Sequence, residues 1–115
     1  MEETIIIDNI EVWPNDLGEM PWEEAMDKVA KLGPGWRLPT IEEFKEVLYP
    51  NRNNLPGYIS FAHYWSNAEL DYTTARTFQF TYGYASNYTK SNPYYVCAVR
   101  DYSIEIIVTD LLKEF

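Results

Sequence analysis

The spacing of apolar residues changes twice along this chain. Thr4 to Val12 is rich in isoleucine and poor in helix signals, which predicts an opening edge strand followed by a turn through Trp13-Pro14-Asn15-Asp16-Leu17-Gly18. From Pro21 to Leu32 the spacing becomes helical. Trp22, Ala25, Met26, Val29 and Leu32 share one face, with Glu23, Glu24, Asp27, Lys28 and Lys31 largely opposite, and Gly33-Pro34 ends the segment. A second helix is expected from Ile41 to Leu48, burying Ile41, Phe44, Val47 and Leu48 and stopping at Tyr49-Pro50. Asn51 to His63 has little periodicity and reads as a long ordered loop. Strands are expected at Tyr64 to Asn67, Ala75 to Tyr82 and Tyr94 to Arg100, with a polar turn region at Gly83 to Pro93. A last strand is expected at Ser103 to Thr109, with Leu111 to Phe115 as a tail. This order is α+β: two helices packed on an antiparallel sheet, without the alternation of a parallel doubly wound fold.

Gly35-Trp36-Arg37-Leu38-Pro39-Thr40 fixes the start of the second helix. Thr40 and Glu43 have capping-box spacing, and Pro39 holds the preceding backbone extended. Neither role requires Trp36 or Arg37. A large ring there can fill a core, and a guanidinium there can reach a fixed partner.

Residues 1–115 form one domain, since the length supports a single core and the 46% hydrophobic content is that of a globular chain. The net charge of -9 argues against nucleic-acid or anionic-membrane partners. Its distribution is uneven. Residues 1 to 46 hold 12 acids and 4 bases, whereas residues 47 to 100 hold 2 acids and 4 bases, and nine of the ten tyrosines fall from Tyr58 to Tyr102. An acidic segment is therefore followed by an aromatic, nearly uncharged one. Cys97 is alone, so no intrachain disulfide staples the fold. There is no signal-peptide pattern and no run of membrane-spanning length, so the expectation is a soluble chain without membrane insertion. The compartment stays open.

Several separated motifs together resemble one family. Gly35 to Thr40, Tyr64-Trp65-Ser66, Ala75 with Phe80 and Gly83, Lys90, and Tyr95-Val96-Cys97-Ala98-Val99-Arg100 resemble the order G-W-R-L-P-T, Y-W-S-S, A/F/G, K and V-R-x-V-R. Pro21-Trp22-Glu23-Glu24-Ala25 is similar to an S-W-x-x-A helix start. The pattern is that of the bacterial C-type-lectin-like family typified by the Lcl C-terminal domain, over roughly Ile5 to Asp101. The resemblance implies two helices flanking twisted antiparallel sheets, termini close together and a long loop region that presents ligand. It also implies a cell-surface, secreted or virion-associated parent. Three positions depart from the pattern: Pro21 stands for Ser, Asn67 for the second Ser, and Cys97 for an Arg. If Tyr102 to Phe115 form a strand beside Thr4 to Val12, they close the sheet near the termini.

Trp22, Trp36 and Trp65 read as core residues. Arg37 and Arg100 can pair with carboxylates or stack on rings, or can present charge to a ligand; the structural role is preferred. Cys97 reads as a small buried hydrophobe, and His63, the single histidine, as loop packing. The acids at both helix starts suit the helix dipole, so they are not read as a catalytic pair. Ser91-Asn92-Pro93 and Trp65-Ser66-Asn67 lack the carboxylates of a lectin calcium site, so neither metal nor cofactor is expected. Asn87-Tyr88-Thr89 matches a glycosylation acceptor by pattern.

The expected ligand surface comprises Tyr72, Tyr82, Tyr84, Asn87, Tyr88 and Tyr94, because Tyr with Asn and Ser supplies rigid amphipathic area and adaptable hydrogen bonds. The expectation is a non-enzymatic recognition module for a glycan or protein ligand, independent of calcium. Alternatives are a retroelement-diversified phage or surface receptor-binding domain and an assembly domain of a larger complex. An oxidase related to formylglycine-generating enzymes is disfavoured, since those resemble this fold but depend on a cysteine pair. Oligomeric state is open.

Overall fold

The computed structural model describes residues 3–102. Its first element is a hairpin of β1 (Ile5–Ile7) and β2 (Ile10–Val12). The single opening strand expected at Thr4 to Val12 is thus corrected. Asp8 adopts a left-handed backbone, φ 53°, which lets the chain reverse within two residues. β2 is the centre of a three-stranded antiparallel sheet, with β1 on one side and β8 (Val99–Asp101) on the other.

The second sheet has the order β3-β7-β4-β5-β6. Its strands are β3 (Glu19–Met20), β4 (His63–Glu69), β5 (Thr74–Gln79), β6 (Tyr84–Thr89) and β7 (Tyr94–Tyr95). All neighbours run antiparallel except β4 and β7, which meet in parallel at Tyr64 and Tyr95. Four expectations change here. Gly83 to Pro93 is largely strand β6, not a turn region. β5 ends at Gln79 because the chain turns back through Gly83, whose φ is +76°. β4 is longer than Tyr64 to Asn67 and includes His63, which was expected in the loop. Tyr94 to Arg100 splits into β7 and β8, one in each sheet. The strand expected at Ser103 to Thr109, the tail, and any pairing of that segment with Thr4 to Val12 lie outside the described residues.

α1 (Trp22–Ala30) and the start of α2 (Ile41–Glu43) fall where the periodicity puts them. From Phe44 to Leu48 the second helix widens into a π-helical stretch, with Tyr49 N donating to Phe44 O at 2.8 Å. This seats Phe44 and Leu48 in the core, and the Tyr49 ring packs against Phe78 and Phe80.

Two apolar cores result. One gathers Ile10, Val12, Phe44, Leu48, Tyr64, Phe78, Cys97 and Val99, and the other Trp22, Ala25, Val29, Trp36, Leu38, Trp65, Val96 and Ala98. Successive residues alternate between them. Tyr64 enters the first and Trp65 the second, and Val96-Cys97-Ala98-Val99 does the same, which is why four consecutive small apolar residues occur there.

Candidate ligand-binding face

The sequence motifs build the platform. Thr40 Oγ1 accepts from Glu43 N at 3.0 Å while Thr40 N donates to Glu43 Oε1 at 2.9 Å, completing the capping box. Glu43 also receives two hydrogen bonds of 2.8 Å from the Arg37 guanidinium, which donates a third to Asp101. Burial alone would raise the Glu43 carboxyl, but the Arg37 bonds, the Thr40 backbone N-H and the Arg37 charge outweigh it and hold the group below its ordinary value. Trp36 lies between Arg100, 4.7 Å over its ring, and Trp13, edge-on at 5.1 Å. Arg100 is tied in turn to Glu11 at 2.5 Å. Both arginines are thus bound to carboxylates.

Ser66 is fully buried and organises a bulge in β4, where the pairing with β5 shifts between Trp65 and Glu69. Its hydroxyl donates to Arg76 O at 2.8 Å and accepts from Ala68 N at 3.1 Å, and its carbonyl accepts from Trp22 Nε1 at 2.8 Å. Trp65 Nε1 donates to Met20 O. Asn67, at the departure from Y-W-S-S, is exposed and contributes its backbone N-H to Pro39 O.

On this platform one sheet face carries a line of aromatic and hydroxyl groups. In the β5–β6 register Gln79 lies opposite Tyr84, Thr77 opposite Ser86 and Ala75 opposite Tyr88, while His63 of β4 lies opposite Gln79. Paired residues share a face, so His63, Gln79, Tyr84, Ser86 and Tyr88 project together. The rings touch: His63 to Tyr88 is 5.2 Å, His63 to Tyr94 5.4 Å, Tyr88 to Tyr94 4.9 Å and Trp65 to Tyr94 5.2 Å between centroids. The cluster is half-buried, and burial pushes the His63 imidazole below its ordinary value. Gln79 Oε1 is buried and has no hydrogen-bond partner among the described residues, which leaves an acceptor without a donor beside the rings.

The six expected ligand residues therefore divide. Tyr84, Tyr88 and Tyr94 join the face. Asn87 points the other way, paired with Arg76, whose Nε donates to its Oδ1 at 3.3 Å. Tyr72 and Tyr82 sit at opposite ends of the hairpins, on the β4–β5 and β5–β6 turns, and are 93% and 75% exposed. His63, Gln79 and Ser86 were not picked out as ligand residues from sequence. Reading Tyr84-Ala85-Ser86-Asn87-Tyr88-Thr89 as a strand would have grouped Ser86 with Tyr84 and Tyr88, but the segment lacks the apolar alternation that marks one.

Cys97 is buried, and burial, the largest effect, pushes its thiol up to about 12. Among the described residues no three His, Cys, Asp or Glu side chains converge to hold a metal ion. No helix among them is long and apolar enough to cross a membrane.

Two short helices on mixed and antiparallel sheets, with a polar aromatic sheet face, define an α+β domain of the C-type-lectin-like class. The model of the Lcl C-terminal domain family matches residues 8–100, and the chain belongs to that family. Membership makes it a domain of the lectin-like, ligand-recognising kind. A search of curated proteins finds no match to the chain.

Proposed function

We propose that this domain is a non-enzymatic, calcium-independent recognition module that takes a carbohydrate on the sheet face of His63, Gln79, Tyr84, Ser86, Tyr88 and Tyr94. The carrying observation is the cluster of His63, Tyr88 and Tyr94 rings on one sheet face, with Tyr84 half exposed along the same face. Stacked C-H faces of a sugar suit half-exposed Tyr rings, and the Tyr84 and Ser86 hydroxyls on the same face can exchange hydrogen bonds with a sugar. The Cys97 thiol stays protonated at neutral pH and is buried, so it is a poor candidate nucleophile. The test is a glycan array followed by calorimetry. A bound glycan whose affinity falls at least about tenfold in Tyr84→Ala or Tyr88→Ala, and is unchanged by EDTA, supports the reading. A ligand released by EDTA, or an affinity indifferent to both substitutions, overturns it.

A second reading, a protein-docking domain, draws on Phe61 and Tyr82, two exposed aromatics joined through Thr81, whose Oγ1 donates to Phe61 O at 3.2 Å. A dimer in light scattering that persists on dilution and is lost in Phe61→Ser favours it.

A further inference from the structure

A cavity of about 590 Å³ lies beyond the aromatic face, at the far end of the same strand. The alternation of β6 that aligns Tyr84, Ser86 and Tyr88 continues to Lys90, because Lys90 N extends the ladder by donating to Thr73 O at 2.8 Å. At the rise of an extended chain, about 3.3 Å per residue, Tyr84 and Lys90 stand about 20 Å apart. Tyr88 lies between them. Face and cavity are therefore two stations on one line.

The chemistry of the cavity limits what it can take. Lys90 is only 9% exposed and its ammonium is already spent: it pairs with Glu69, donates to Tyr72 O at 3.0 Å and sits 4.9 Å over the Trp22 ring. It offers no free positive charge. Glu23 lines the same space and makes no ion pair among the described residues, so the walls carry one excess negative charge. The rest of the lining is Pro21, Tyr72, Thr73, Thr89 and Ser91, which brings three hydroxyls and a largely exposed tyrosine to the cavity. A ring to stack on, carboxylates to accept from vicinal hydroxyls, and hydroxyls to complete the network fit an uncharged sugar. They repel a uronate or a sulfate.

Building on the carbohydrate reading above, we propose that this cavity is a second sugar subsite. The ligand is then an uncharged oligosaccharide long enough to reach from Tyr84 to Lys90, rather than a single sugar or an acidic polysaccharide.

The experiment is calorimetric titration of the whole protein with gluco-, galacto-, manno- and xylo-oligosaccharides of increasing length, and with uronic-acid oligomers of matching length. Tyr72→Ala and Ser91→Trp act as cavity variants. Tyr72→Ala spares the fold, because the contact to Lys90 uses the backbone carbonyl and not the exposed ring. The expected result is an uncharged series whose affinity climbs at least about tenfold with length, with that gain, and not the binding of the shortest members, lost in both variants. Affinity independent of length, equal binding by the uronic-acid series, or full length-dependent affinity in both variants overturns the second subsite while leaving the aromatic face intact. Failure of every uncharged series overturns the subsite and the carbohydrate reading together.

Discussion

Glu43 serves two partners, closing the capping box with Thr40 and holding the Arg37 guanidinium in a two-pronged pair. Glu43→Ala removes both, and urea unfolding should show a loss of about 2–4 kcal/mol, the sum of a cap and a charged hydrogen-bonded pair. The pH dependence has a definite sign. Since the folded carboxyl titrates below the ordinary 4.5, its contribution is present above that value and is lost as pH falls through the lower folded value. Stability of the Glu43→Ala variant should therefore fall less steeply in that acid range. His63 behaves likewise in a higher window. Burial depresses its imidazole from the ordinary 6.5, so the unfolded chain takes the proton first and acidification below 6.5 lowers stability. Melting temperature should decline less over that window in His63→Asn.

Glycines decide how closely the elements meet. A Cβ on Gly57 would lie 2.1 Å from the backbone carbonyl oxygen of Pro14, where the loop bridges Asn15, so no side chain can yield to it. Gly57→Ala should cost about 3 kcal/mol or more in chemical unfolding. At Gly83 the close neighbour is the Tyr49 ring, which can shift, but the positive φ remains, and Gly83→Ala should cost about 1–2 kcal/mol. How far the elements were legible follows from how local their causes are. Both helix starts, the capping box and the buried tryptophans are encoded within a few residues of themselves, and the sequence reading located them. β6 escaped because Tyr84 to Thr89 is polar on both faces, and its strand character comes from pairing with β5. The split of Tyr94 to Arg100 between two sheets, the assembly of His63 with Tyr88 and Tyr94, and the orphaned Gln79 oxygen all depend on contacts far apart in sequence. Arg37 could be seen to need a partner, but Asp101, 64 residues away, could not be named.

At the scale of the molecule, the charge of -9 is concentrated in the N-terminal part of the sequence, while the aromatic face bears no ionised group. An uncharged ligand on that face should bind with nearly the same affinity in low and high salt, changing by less than about twofold in calorimetry, because the acidic segment has no ligand charge to act on. A steep salt dependence would point to a charged ligand instead.

The three-stranded sheet joins residues from both ends of the described chain: Glu11 and Arg100, 89 positions apart, face one another across β2 and β8. On the ribosome the isoleucine-rich hairpin must therefore emerge with one side of β2 uncovered and wait while nearly the whole domain is synthesised. Folding of this sheet is then governed by its most distant pairing, and until β8 arrives the nascent chain carries a sticky strand edge that a chaperone would recognise.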